Sequence, residues 1–209
     1  MQKTLTLAAL GVLLCAAGAQ AQTAPAADDT VKPKPITIKL GVLFTNSSDL
    51  KDTVGSTFFA AGAEYAFINK GSASPVVPLV YVDYAGRGKN RSIDDGQGNS
   101  VSLDLTASTV GVGGGVRYYI GAPGTGSVTP YVGAGVGVYF NRIKVATTVS
   151  SGGQSGSASD SLNKTQVGFR LNAGIEFQKM YLLEANYTNA GSVEGTRIDG
   201  FGVQAGVRF

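Results

Sequence analysis

Residues 200–209 read G-F-G-V-Q-A-G-V-R-F, and how that alternation is read decides the fold. In an extended chain successive side chains point to opposite faces. Phe201, Val203, Ala205, Val207 and Phe209 therefore share one face, and Gly200, Gly202, Gln204, Gly206 and Arg208 share the other. The first face is wholly apolar, is bounded by aromatics, and reaches a position where chains ordinarily fray into water. It needs either a protein core or lipid to cover it.

The same period of two recurs upstream. Ile36, Ile38, Leu40, Val42 and Phe44 oppose Thr37, Lys39, Gly41 and Leu43, while Phe59, Ala61, Ala63, Tyr65 and Phe67 oppose Ala60, Gly62, Glu64 and Ala66. Val76, Val80, Val82 and Tyr84 oppose Leu79, Tyr81 and Asp83, with Pro78 predicting an irregularity because it lacks a donor. Val110, Val112, Val116 and Tyr118 oppose Gly111, Gly113, Gly115 and Arg117. Val132, Ala134, Val136, Val138 and Phe140 oppose Tyr131, Gly133, Gly135, Gly137 and Tyr139. Val167, Phe169, Leu171, Ala173, Ile175 and Phe177 oppose Gly168, Arg170, Asn172, Gly174 and Glu176, and Tyr181, Leu183, Ala185 and Tyr187 oppose Leu182, Glu184, Asn186 and Thr188. With the opening stretch this makes eight strands, and no amphipathic helix of useful length competes after residue 21.

Residues 1–21 form a separate unit. Lys3 precedes an apolar run from Leu5 to Ala17, too short for a spanning helix, and Ala19-Gln20-Ala21 supplies the small-residue cleavage pattern of a signal peptide. The single cysteine, Cys15, lies inside it and follows Leu14, so lipidation is not expected and the mature chain needs no disulfide. Residues 22–35, with Pro25, Pro33 and Pro35, read as an extended periplasmic tether. Residues 36–209 carry the strands. A net charge of +3 spread over 209 residues gives no basic stripe, which argues against nucleic acid.

The connections alternate in length. Segments 69–75, 121–129 and 178–180 are short, whereas 45–54, 86–100, 146–165 and 189–196 are generally longer and more polar, with S-S-G-G-Q-S-G-S-A-S the flexible extreme. Short turns on one rim and long loops on the other are the outer-membrane pattern, which puts both termini on the periplasmic side.

A soluble barrel would turn the apolar face inward. Three observations turn it outward. That face carries no charge, while the other collects Lys39, Glu64, Asp83, Arg117, Arg170, Glu176, Glu184 and Arg208 together with many glycines, which suit a crowded interior better than an exposed strand. Aromatics sit at the strand ends as two girdles: Phe67, Tyr118, Phe177, Tyr181 and Phe209 at the short-turn rim, and Phe44, Phe59, Tyr84, Phe140, Phe169, Tyr187 and Phe201 at the other. From Phe169 to Phe177 is roughly 26 Å along a strand, or about 20 Å of height once tilted, close to the apolar band of such barrels. The signal peptide, finally, directs the chain to an envelope. The predicted fold is all-β, an eight-stranded antiparallel up-and-down transmembrane β-barrel in the outer membrane.

The run T-P-Y-V-G-A-G-V-G-V-Y-F at 129–140 and the ending G-V-R-F resemble the small outer-membrane barrels of the OmpA-barrel, OmpX and OmpW type, over residues 36–209. The resemblance implies that the terminal aromatic strand is read by the barrel-assembly machinery, with Phe209 at the required position. It implies for OmpW-type members a hydrophobic lateral channel, for which no residues here can be matched.

The absence of histidine argues against catalysis, since general acid–base work near neutral pH most often uses it. No cofactor or metal is expected. The eight inward charges, four of each sign, should pair, either as a sealed polar core or as a gate whose pairs swap to open a narrow path. Glycines 111, 113, 115, 133, 135 and 137 should relieve crowding against Tyr131, Tyr139 and Arg117 or, alternatively, line a small cavity. Arg142 and Lys144 share the parity of Phe140 and must lie beyond the outer girdle, while the shifted parity of Val101, Leu103 and Leu105 predicts a bulge or a slip near 107–109. Arg87, Lys89 and Arg91 read as loop cations, either merely solvated or in contact with anionic groups of the outer leaflet or envelope. Asp94, Asp95 and Asn99 lack the spacing of a calcium loop and read as solvated. The leading functional reading is a structural role in envelope integrity. A narrow pore or port for small or hydrophobic solutes is the alternative, with surface adhesion through the extracellular loops a further one.

Overall fold

The computed structural model describes residues 34–68, 74–95, 99–120, 128–151, 154–178 and 180–209. The expected signal peptide, most of the tether and most of two short turns lie outside the described residues. Eight strands follow in order: β1 (Ile36–Thr45), β2 (Thr57–Ala66), β3 (Val76–Asp94), β4 (Ser100–Tyr119), β5 (Val128–Ser151), β6 (Gln154–Phe177), β7 (Tyr181–Val193) and β8 (Thr196–Arg208). One short helix, α1 (Ser48–Thr53), sits between β1 and β2. Each strand pairs antiparallel with its sequence neighbour, and β1 pairs with β8 to close an up-and-down barrel. Ile36 and Phe209 exchange both backbone hydrogen bonds, at 3.2 and 2.7 Å, on the short-turn rim. Closure leaves no open ladder at the level of the apolar band, the condition for strands to lie in hydrocarbon.

Side-chain alternation becomes a physical partition. Ile38, Leu40, Val80, Val112, Leu171 and Val203 are exposed on the outside, while Lys39, Tyr81, Arg117, Tyr131 and Glu184 on the inner parity are buried. An apolar band of that extent would not persist on a surface facing water.

The predicted bulge near 107–109 is absent. β4 runs in unbroken register with β3 and β5 from Ser100 to Tyr119. Val101, Leu103 and Leu105 therefore lie on the inner side with Gly111 and Arg117. Beyond the girdle the inner side of β4 turns apolar, and Leu105 and Ala107 pack with Leu43, Leu50, Val54, Phe58, Ala60 and Ala85. Pro78 causes no irregularity either. It stands in register opposite Val116, and its carbonyl accepts from Phe67 at 2.9 Å. A residue's N–H and C=O point to the same side of a strand, so the missing donor falls past the end of β2 and costs no bond to β4. The one register shift among the described residues lies between Asn189 and Ser192 of β7, where Gly191 has φ +87°.

The long connections are mostly strand. β3 and β4 pair as far as Asp94–Ser100, and β5 and β6 as far as Ser151–Gln154, so most of the Gly/Ser tract continues the ladder instead of forming a loop. Backbone hydrogen bonds there are set by an established register and do not depend on side-chain character. β7 and β8 meet in a two-residue turn, Glu194 at φ 47° and Gly195 at φ 86°, the handedness a tight hairpin needs. β2 pairs with β3 only up to Gly86, and β7 pairs with β6 only from Phe169. β3 to β6 thus rise past the closed barrel as a four-stranded sheet.

Candidate functional site

The candidate site is the barrel interior, where strands far apart in sequence direct charges at one another. Lys39 of β1 is fully buried, its Nζ 2.8 Å from Glu64 Oε1 of β2 and 2.7 Å from Glu184 Oε1 of β7. Arg117 of β4 lies 2.5 Å from Glu64 Oε2 and 3.7 Å from Glu184 Oε2. Arg170 of β6 contacts Glu64 and reaches Asp83 of β3 at 2.9 Å. Glu64 thereby receives three cations. Nearer the short-turn rim Arg208 of β8 pairs with Glu176 of β6 at 2.7 Å. The eight inward charges fall into a group of six and a group of two. Each buried ion here has a partner, without which its desolvation would cost several kcal/mol.

Four inner tyrosines complete the arrangement. Tyr119, overlooked in the sequence although it shares Arg117's parity, accepts from Arg208 Nη2 at 2.6 Å and donates to Glu176 at 3.1 Å. Arg117 Nη1 also reaches its oxygen, at 3.4 Å, so Tyr119 joins the two ionic groups. Tyr131 donates to Glu184 at 3.0 Å and lies under the Arg117 guanidinium, 4.3 Å from its ring centre. Arg170 lies 3.9 Å over the Tyr81 ring, whose hydroxyl is 3.4 Å from that of Tyr139. Asn172 donates to Glu184 at 2.7 Å. The glycines make room for these rings: a Cβ at Gly111 would lie 2.5 Å from Tyr139, and one at Gly174 2.6 Å from Tyr131. Gly113, Gly135 and Gly137 flank Tyr81, which takes the place expected for Arg117.

Above Arg170 lies a chamber of about 40 Å³, lined by Asp83, Thr109, Tyr139, Asn186, Asp199 and Gln204 among others. Leu43, Ala60 and Ala85 of its wall also belong to the apolar cluster that holds Leu50 and Val54 of the β1–β2 connection.

On the outside, Phe44, Phe201 and Tyr187 align across three strands, with ring centres of Tyr187 and Phe201 5.0 Å apart and those of Tyr187 and Phe169 6.0 Å apart. Tyr187 is half-buried because its hydroxyl bends to Asp199 at 2.9 Å. Phe59, Tyr84 and Phe140 are exposed toward the same rim. Phe67, Tyr118, Tyr181 and Phe209 are exposed at the opposite rim, Phe177 is half-buried, and Tyr65 joins them against Phe67 at 5.2 Å.

Arg87, Lys89 and Arg91 are not loop residues; they lie on the inner parity of β3 where it rises past β2. Arg87 is half-buried and donates to the Thr57 carbonyl at 2.6 Å, Lys89 is half-exposed and Arg91 exposed. Arg142 and Lys144 are exposed on the outer parity, just past Phe140. Asp95 binds the Asn99 backbone and side chain at 3.1 and 2.6 Å, closing the β3–β4 tip. Among the described residues no group of acidic, His or Cys side chains is arranged to hold a metal.

The family model described as "Outer membrane protein beta-barrel domain" matches residues 7–209. No curated protein sequence matches the chain. Among solved structures, Ail, the attachment invasion locus protein of Yersinia pestis, in complex with the heparin analogue sucrose octasulfate, is 15% identical with a TM-score of 0.46, covering 84% of this chain and 97% of that one. Neisserial surface protein A is 16% identical with a TM-score of 0.44, covering 83% and 93%. The N-terminal β-barrel domain of Pseudomonas aeruginosa OprF is 15% identical with a TM-score of 0.39, covering 84% and 98%. With the family model spanning nearly the whole chain over a closed eight-stranded barrel, the protein belongs to the outer membrane protein β-barrel domain family and resides in the outer membrane.

Proposed function

We propose that this barrel is a non-conducting structural element of the outer membrane that supports envelope integrity and has no catalytic role. One observation carries the reading: Glu64 holds Lys39, Arg117 and Arg170 together across the barrel axis, with all four side chains buried. Opening a path would separate ions in a low-dielectric interior. The refolded protein in planar bilayers should show no channel events, and Arg170→Ala should create them; stable single-channel steps in the wild type would favour the pore reading.

Residues 1–21 are removed on export, residues 22–35 tether the barrel, and Phe209 is the signal read by the assembly machinery. Deleting Phe209 should lower outer-membrane levels, and normal levels would refute that role. Lys89, Arg91, Arg142 and Lys144 are the cations placed to meet anionic groups outside the hydrocarbon. A second reading, attachment through the hairpins, is favoured by the rise of β3 to β6 past the closed barrel. Shortening both hairpins to the girdle should abolish surface binding while leaving insertion unchanged.

A further inference from the structure

The inner wall changes from ionic at mid-barrel to apolar at the mouth, and between the two lies a layer of oxygens without partners. Thr109 Oγ1, Asn141 Oδ1 and Asp199 Oδ1 are buried and accept no hydrogen bond. They belong together: Thr109 and Asn141 are cross-strand partners, and Thr109 and Asp199 both line the chamber. The Asn141 amide donates to the carbonyl of Ala190, another lining residue, at 2.7 Å. Asp199 spends its other oxygen on Tyr187 and Arg197, at 2.9 and 3.0 Å, while Asp83 is matched by Arg170. Asp199 Oδ1 is therefore the unspent carboxylate oxygen of the wall, while the Thr109 hydroxyl can either donate or accept. A cavity of about 40 Å³ with a largely apolar wall into which Asp83, Thr109, Asn186, Asp199 and Gln204 bring polar groups exceeds the roughly 10–15 Å³ one water needs.

The cover is slight. α1 has only six residues, its Asp49, Lys51 and Asp52 face solvent, and Leu50 with Val54 just beyond it supplies the apolar grip. The segment leaves at Gly55, φ +111°, where a Cβ would come within 2.8 Å of the Arg87 guanidinium, and Arg87 is tied to the Thr57 carbonyl. A glycine pivot and an arginine latch thus sit together at the C-terminal end of the helix.

We propose that the chamber is a hydrated vestibule preferring small cations, entered from the hairpin side, with α1 as its lid. That it is a dead end rests on reading the charge network as a seal; its hydration, charge preference and lid do not.

Cysteine labelling tests this in the full chain carrying Cys15→Ser. The reporters are Thr109→Cys and Ala85→Cys, cross-strand neighbours on the chamber wall, and Leu182→Cys deeper in the interior. The probes are methanethiosulfonates of similar size bearing an ammonium or a sulfonate. The cationic probe should label both wall reporters about 10-fold faster than the anionic one. Asp199→Asn should erase the preference, and Leu50→Ser should accelerate labelling several-fold. Equal rates for the two probes, or rates unmoved by Leu50→Ser, would overturn the proposal, as would inert wall reporters in the Leu50→Ser background. Labelling of Leu182→Cys, with charge preference and lid dependence intact, would support the vestibule and sink the seal.

Discussion

At the level of the apolar band the inner side of the wall carries ions and the outer side carries aliphatics; past the girdle the inner side of β4 and β5 carries Leu105, Ala107, Ile143 and Val145 beside Arg87, Lys89 and Arg91 of β3, while Arg142 and Lys144 point outward. β4 and β5 pass from one regime to the other without a break in register. Parity assigns a side chain to a face, and the surrounding medium decides what that face must be. In lipid the outside has to be apolar, and the narrow interior becomes the place for charge. In water the preference reverts to that of soluble proteins, with apolar groups turned toward one another.

Substitutions that carry one regime's chemistry into the other should break this contrast. The largest effect is expected for Glu64→Ala, which leaves Lys39, Arg117 and Arg170 only Glu184 and Asp83 to share; a loss of about 3–5 kcal/mol should appear in urea unfolding from vesicles, with Glu64→Gln nearly as severe. Next is a matched pair on β8 and β5. Val203→Arg, on the lipid side of the band, should cost about 2–4 kcal/mol, while Val149→Arg, exposed near the end of β5, should change stability by no more than about 0.5 kcal/mol. Equal costs would mean that the two regimes do not exist. Leu50→Ala should fall at the low end of the about 2–5 kcal/mol typical of core truncations, because water can enter the space it leaves. The smallest effect belongs to Ser157→Ala in the Gly/Ser tract, within about 0.5 kcal/mol, since the ladder there uses the backbone alone; amide exchange at 154–160 should be unaltered.

The barrel was legible from the sequence because eight stretches keep period two and their charges all fall on one parity. Closure followed from the intolerance of lipid for an open edge. What misled was the assumption that an apolar parity always faces lipid, which turned Val101, Leu103 and Leu105 into evidence for a bulge. Their position past Phe140's level, marked by Arg142 and Lys144 on the next strand, was the available sign that the medium had changed. The Gly/Ser tract looked like a loop because composition reports side-chain preference, whereas its pairing is inherited from the register set between Val128 and Phe177. Tyr119 was overlooked because a tyrosine beside Tyr118 reads as part of a girdle; only alternation separates the residue facing lipid from the one bound to Arg208 and Glu176. The grouping of the charges depends on barrel geometry across non-adjacent strands, which periodicity along a single chain does not contain.

The seam between β1 and β8 has a kinetic consequence. The other seven seams join consecutive strands and can zip from nearby turns, but this one joins Thr37 to Arg208 and must wait for everything between. Until it forms, both flanking strands present unsatisfied edges, and the loop to be closed is nearly the length of the domain. Insertion should therefore show one late step, sensitive to changes along β1 and β8 and indifferent to the hairpin tips. In the interval before that step the chain is at its most prone to pairing with the wrong strand.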